Sequence, residues 1–201
     1  EVAKFGRIIT KLFGFIPELL KEKEEKKSRA LMARIRKYED ITDRMEVEIA
    51  DYLANVSQGE LSESASIKVR SMISIINDME RIGDICYQIS ISVERKIEQK
   101  AQFMIEPTTN LEEMIGEVTK ALKIMNNNLT TNYSQVVLTE ADEVEIVINK
   151  LRNKLRKKYL EKIEKGEVKI ETAMIYNNLI HSLEKVGDHV FNISEAIVGD
   201  K

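Results

Sequence analysis

Two pairs of carboxylates, Glu80 with Asp84 and Glu184 with Asp188, recur 104 positions apart in near-identical surroundings. The first sits in Met79-Glu80-Arg81-Ile82-Gly83-Asp84 and the second in Leu183-Glu184-Lys185-Val186-Gly187-Asp188. The flanks match as well: Ile85-Cys86-Tyr87-Gln88-Ile89-Ser90 reads against His189-Val190-Phe191-Asn192-Ile193-Ser194. Two aligned copies with matched flanks point to an internal duplication. Acids four apart share one face of a helix, where like charges cost about 0.2–0.5 kcal/mol. The Gly before each Asp costs about 1 kcal/mol relative to Ala inside a helix. Both costs occur twice. A bound cation would relieve the carboxylates, and a close approach of two helices would explain the Gly.

Further acids stand on the preceding helix of each half. Asp40 and Asp43 are three apart, as are Asp142 and Glu145. If these faces meet the acidic repeat, Asp40, Asp43, Glu80 and Asp84 gather in one half, and Asp142, Glu145, Glu184 and Asp188 in the other. Four carboxylates do not stay charged together without a cation or protons. Oxygen donors suit Mg, Ca or Mn, and iron gains when His joins. His181, in register with Glu184 and Asp188, supplies that imidazole, whereas the first half has Asn77 at its place. The second-half face is therefore expected to hold a divalent or ferric ion more tightly. The plainer alternative is that these acids form salt bridges on exposed faces. His189 reads as an ordinary bundle or surface histidine, Cys86 as a core residue, and Asp78 and Glu94 as surface charges. The basic series Lys150, Arg152, Lys154, Arg156, Lys157 and Lys158 reads as a solvated face, with a phosphate or acidic-lipid contact as the alternative.

These side chains must be positioned by helices. Of 201 residues, 43% are hydrophobic, which suffices for a core, and eight Gly and two Pro leave few breakers. The formal charge is −3 with both signs mixed throughout, so no nucleic-acid partner is expected. The lone Cys86 cannot form an intrachain disulfide. No apolar run approaches the ~20 residues of a transmembrane helix, and no signal peptide is visible.

Apolar periodicity predicts a helix over residues 1–20, kinked or bounded at Pro17, and a second over 29–56 with Leu31, Ile35, Tyr38, Ile41, Met45, Ile49, Tyr52 and Leu53 inward. A third, about 62–103, turns Ile67, Met72, Ile75, Ile76, Met79, Ile82, Ile89 and Val93 inward. Ser57 with Glu60 has capping-box spacing before it. Pro107 divides the chain, and Thr109 with Glu112 has the same spacing at the start of a fourth helix, about 110–133, weakened near its end by Asn126-Asn127-Asn128. Helices over about 139–164 and 168–198 follow, the last with Ile170, Met174 and Leu179 inward. The expected fold is all-α: two tandem three-helix bundles, residues 1–106 and 107–201, with short turns joining antiparallel neighbours.

The segment LIHSLEKVGDHVFNIS, Leu179 to Ser194, resembles the signature of the PhoU phosphate-uptake regulator family, an E-x-x-x-D on the third helix of each of two bundles. MERIGDICYQIS fits the same pattern, and the acid pairs of the second and fifth helices resemble the family's other motif. The resemblance spans nearly the whole chain. It departs in the first repeat, where Ile85 and Cys86 replace His189 and Val190, and Asn77 replaces His181. It implies a six-helix, non-enzymatic regulator of phosphate uptake on the cytoplasmic side of the inner membrane. It also implies iron or zinc on the E-x-x-x-D faces, so the candidate metals are Fe and Zn from the resemblance and Mg or Mn from the oxygen donors. The expected partners are a membrane transporter domain and a second copy of the chain. A start on Glu1 without Met, in an amphipathic segment bearing Lys4, Arg7 and Lys11, resembles the PhoU-like tail of a sodium/phosphate cotransporter. The alternatives are a stand-alone PhoU-type regulator of an ABC phosphate transporter and a carboxylate-bundle metalloenzyme. The enzyme would want two Glu-x-x-His motifs, and the chain offers one His181-x-x-Glu184 in reverse.

Overall fold

Sparse breakers and heptad-like apolar spacing resolve into six α-helices in a computed structural model: α1 Val2–Lys21, α2 Glu25–Val56, α3 Glu63–Glu98, α4 Ile105–Thr130, α5 Thr139–Glu164 and α6 Ile170–Val198. A 3₁₀ turn, Tyr133–Gln135, links α4 to α5. The structure describes residues 1–59, 61–99, 101, 103 and 105–199, without the side chains of 105 and 106. Helices α1–α3 pack on one another, as do α4–α6, and no strand occurs among the described residues.

The two bundles are joined along α3 and α6, the most extensive helix pairing in the molecule, and again along α1 and α4. Both central helices turn the same seam inward. Ile75, Met79, Ile82, Cys86, Ile89 and Val93 of α3 are buried, and so are Leu179, Leu183, Val186, Val190, Ile193 and Ile197 of α6, each 104 positions on. The spacing alternates four and three, the a/d pattern that keeps a stripe facing a neighbouring helix. Each such side chain contributes about 1.5–3 kcal/mol by leaving water. Cys86 belongs to this seam, where burial pushes its thiol pKa up.

Local signals differ from expectation at the ends. Ser62 caps α3 by accepting from the Ala65 N–H at 3.2 Å, and Ser57 closes α2 with its hydroxyl on the Leu53 carbonyl at 2.7 Å. Glu60 lies outside the described residues. Thr109 stands inside α4 rather than at its cap, and Pro107 occupies the first turn, where its missing N–H costs little. Pro17 lies within α1, which runs on to Lys21. The asparagines of α4 tie it to its neighbours: Asn126 donates to Thr10 Oγ1 at 2.6 Å and Asn128 to Ser194 Oγ at 3.2 Å.

Tyr52, Ile67, Ile170 and Met174, expected inward, are exposed. They stand near the ends of the α2–α3 and α5–α6 hairpins. At 1.5 Å per residue α3 is roughly 54 Å long against roughly 30 Å for α1, so part of the first hairpin has no third helix to cover it. Helix α1 buries Phe5, Ile9, Leu12, Phe13, Phe15, Ile16 and Leu19. Its apolar face therefore belongs to the core and is not free to lie on a membrane. Lys4, Arg7 and Lys11 point outward. No helix among the described residues is long and apolar enough to cross a membrane.

Candidate metal centre and its diverged counterpart

Glycine 83 decides how closely α2 and α3 approach. A Cβ there would lie 2.5 Å from Thr42 Oγ1, and Thr42 is fully buried, its hydroxyl donating to the Glu39 carbonyl at 2.7 Å. The contact brings carboxylate oxygens of Glu39, Asp43 and Asp84 within 4.8 Å of one another. Glu80 adjoins them one turn before Asp84. Burial, then the Asp84 charge, push the Glu80 pKa up to about 7, and a hydrogen bond between the two acids adds to the rise. Burial and neighbouring acids also raise Glu39 and Asp43, for Glu39 chiefly Asp43 and for Asp43 chiefly Asp84. Of the nearby cations, Arg81 reaches only 3.6 Å from Glu80 and 3.5 Å from Asp84, and Arg36 acts on Glu39 through its charge.

Three oxygens at ligand spacing, a fourth acid held partly protonated and weak neutralisation fit a hard cation. Asp43, Glu80 and Asp84 were expected here. Asp40 is exposed and lies outside the group of close oxygens. Glu39 was missed, although it stands four residues before Asp43 and so shares its face.

In the second half a Cβ on Gly187 would meet Ile148 Cδ1 at 3.0 Å. Thr42 and Ile148 face equivalent glycines, which sets α2 against α5 with a shift of 106. The buried positions agree: Ile35, Thr42 and Leu53 correspond to Ala141, Ile148 and Tyr159. The acid pairs Asp40–Asp43 and Asp142–Glu145 are related by 102 and are one helical turn out of register. In the true register Glu39 becomes Glu145, Asp43 becomes Asn149, Glu46 becomes Arg152 and Ala50 becomes Arg156.

The substitutions change the chemistry. Arg152 Nη2 donates to Glu184 Oε1 at 2.8 Å, and Glu184 is 4% exposed. Lys185 Nζ donates to Asp188 Oδ2 at 2.7 Å, which raises the lysine pKa. Asn149 donates to Glu145, whose pKa is raised by burial and by Asp188, Asp142 and Glu184. His181 is mostly exposed, with Nδ1 3.4 Å from Glu184 Oε2. Asp142 is exposed. The five expected ligands do not converge. A guanidinium occupies the place of a cation, so these residues do not fit a metal as the first half does. This geometry favours the first half over the second, against the expectation of tighter binding in the second half. Arg152 is likewise no solvated surface residue.

Between the halves, His189 Nδ1 lies 2.8 Å from Asp78 Oδ1, which also accepts from Asn192 at 3.2 Å. Asp78, expected on the surface, is largely buried and bridges α3 to α6.

The fold and the two grooves define a tandem three-helix-bundle protein with an acidic repeat on each third helix. The chain belongs to the PhoU domain family, whose model matches residues 3–93 and 108–197. It is 30% identical over 139 residues to the phosphate-specific transport system accessory protein PhoU homolog 1 of Thermotoga maritima, across 65% of this chain and 56% of that protein. The chain thus spans little more than half of that relative's length. An uncharacterized protein of Deinococcus radiodurans is 23% identical over 198 residues, 96% of this chain and 70% of that one. The crystal structure of PhoU from Pseudomonas aeruginosa shares the fold with a TM-score of 0.86 at 15% identity, covering 98% of this chain and 91% of that one. That of the phosphate transport system regulatory protein PhoU from Streptococcus pneumoniae does so at 0.79 and 19%, covering 98% and 89%.

Proposed function

We propose that this chain is a PhoU-type regulator of phosphate transport rather than a catalyst, acting on the cytoplasmic side of the membrane. The observation that carries the reading is the family match to both halves. The grooves themselves hold carboxylates and ion pairs. In the first groove Glu39, Asp43 and Asp84, with Glu80 beside them, would hold a hard divalent or ferric cation. When bound, that ion supplies the positive charge the cluster lacks. The side chains themselves link α2 to α3, so the charge state of the groove biases how tightly the hairpin packs. A two-state bundle biased in this way can act on an associated transporter.

The finer reading places the chain on a sodium/phosphate cotransporter, in the same polypeptide or associated with it. The outward Lys4, Arg7 and Lys11 support it, since basic residues are favoured beside the cytoplasmic membrane face. The stand-alone reading draws on the Thermotoga relative, which is named as an accessory protein. Deletion of the chain, followed by measurement of phosphate uptake against external phosphate, tests both. Sodium-driven uptake that loses its response supports the cotransporter. A loss confined to ATP-driven uptake supports the stand-alone regulator. Unchanged uptake and response in both overturn the regulatory reading.

A further inference from the structure

The grooves of the two halves are equivalent in position and different in charge balance. In the first, Glu39, Asp43, Glu46, Glu80 and Asp84 outnumber Arg36 and Arg81. In the second, Arg152, Arg156 and Lys185 accompany His181, against the acids Asp142, Glu145, Glu184 and Asp188. The α5–α6 groove is an open cavity of about 440 Å³, lined by Arg152, Arg156, His181 and Lys185 together with the carboxamides of Asn177 and Asn178 and the buried acid Glu184.

We propose that this second groove binds an oxyanion of the phosphate class. Glu184 orients Arg152, whose other terminal nitrogen donates to Asn153 Oδ1 at 2.8 Å. Arg156, one turn along α5 on the same face, makes no hydrogen bond or ion pair among the described residues and is exposed to the groove. Arg156 is uncommitted, Arg152 and Lys185 line the same cavity while paired to Glu184 and Asp188, and the His181 imidazole and two carboxamides add donors from other directions. A planar carboxylate is already served by Arg152 alone, as Glu184 shows. A tetrahedral dianion has enough oxygens and charge to engage the rest. The cavity exceeds the size of a bare ion, so inorganic phosphate and a small phosphate monoester share the required chemistry. The proposal rests on the groove's own residues and holds whether or not the first groove takes a metal.

The test is titration of the 201-residue chain, freed of metal by chelator and held at constant ionic strength, with inorganic phosphate, glycerol phosphate and acetate. Binding is followed by amide and His181 chemical shifts. Saturable shifts confined to α5 and α6 are expected with phosphate or its ester, the tighter of the two naming the source. Arg156→Gln should weaken binding at least about tenfold, as loss of a charged hydrogen bond does. Lys154→Gln removes the same charge from the same helix away from the groove and should leave binding within about twofold. Because Arg156 and Lys154 are both exposed, each variant should melt as the wild type does. The proposal is overturned by an absence of saturable shifts, by equal affinity for acetate, or by equal effects of the two substitutions.

Discussion

The first groove gathers acids with arginines only at their edge, and the second pairs its buried acid Glu184 with Arg152 at 2.8 Å. Yet the seams beneath them are nearly interchangeable: Ile75, Met79, Ile82 and Cys86 have their counterparts in Leu179, Leu183, Val186 and Val190, all buried. The difference teaches where a duplicated scaffold is free to diverge. A core position must fill a set volume, and misfit there costs several kcal/mol. A groove position keeps its backbone whatever its charge, so Glu46 and Arg152, or Asp43 and Asn149, stand on the same frame.

The largest effect expected from breaking the comparison concerns metal. Asp43→Asn with Asp84→Asn should abolish binding of manganese or iron, read by elemental analysis of protein purified without chelator. Glu184→Gln with Asp188→Asn should leave the metal content unchanged. In the wild type a hundredfold excess of ion over its dissociation constant should add about 2.7 kcal/mol to unfolding stability, and the first double variant should lose that gain. Equal metal content in all three proteins would show that neither groove is selective.

Next comes the internal cation. Arg152→Ala strands the buried Glu184 carboxylate and should cost about 2–3 kcal/mol in denaturant unfolding. Glu184→Gln in the same chain should restore part of the loss. Glu46→Ala, the matching change in the first groove, leaves no buried charge unpaired and should not destabilise metal-free protein. If Arg152→Ala and Glu46→Ala behave alike, the opposition between the grooves is mistaken.

The grooves should also differ in their response to pH. Glu80 titrates near 7 in the folded chain against 4.5 as its ordinary value. Between these values the native state binds more protons than the unfolded one, so chelator-treated protein should lose stability as pH rises from about 4.5 to about 7. The loss should be visible in denaturant unfolding, and Glu80→Gln should reduce it. Lys185 acts in the same direction in another window: its pKa is raised by Asp188, so its contribution is complete at neutral pH and is lost only as pH rises past its ordinary 10.5. Glu39, Asp43 and Glu145 are raised too and leave a smaller slope, so a slope undiminished by Glu80→Gln would assign the titration elsewhere.

The smallest difference lies at the glycines. Gly83→Ala drives a Cβ into the buried Thr42 and should cost about 1–2 kcal/mol after the gain in helix propensity. Gly187→Ala meets Ile148 Cδ1 at 3.0 Å and Cγ2 at 3.1 Å, a milder clash that should cost less than about 1 kcal/mol after the gain in helix propensity. Thr42→Ala should rescue the first change. Denaturation midpoints measure all three, and equal losses at the two glycines would mean the helices approach alike in both halves.

Much of the molecule was determined by the chain alone. The six helices, the duplication and the shared face of Glu80 with Asp84 follow from the 3.6-residue period, which each helix carries in itself. What only the tertiary structure decided is the axial register between helices. Acid spacing set Asp40 beside Asp142, whereas the packing of Thr42 on Gly83 and Ile148 on Gly187 shifts the match by one turn. That turn brings in Glu39, sets Asp40 aside and lays Arg152 on Glu184. The buried stripe of α2, Ile35, Thr42 and Leu53, already held the register against Ala141, Ile148 and Tyr159, but a polar Thr among apolar positions obscured it. The pairing of Asp78 with His189 was beyond sequence periodicity, since it joins residues 111 apart across the seam. Periodicity specifies which side of a helix is buried. Which side chains then meet depends on where two helices touch along their length, and that is settled by close contacts such as those at the two glycines.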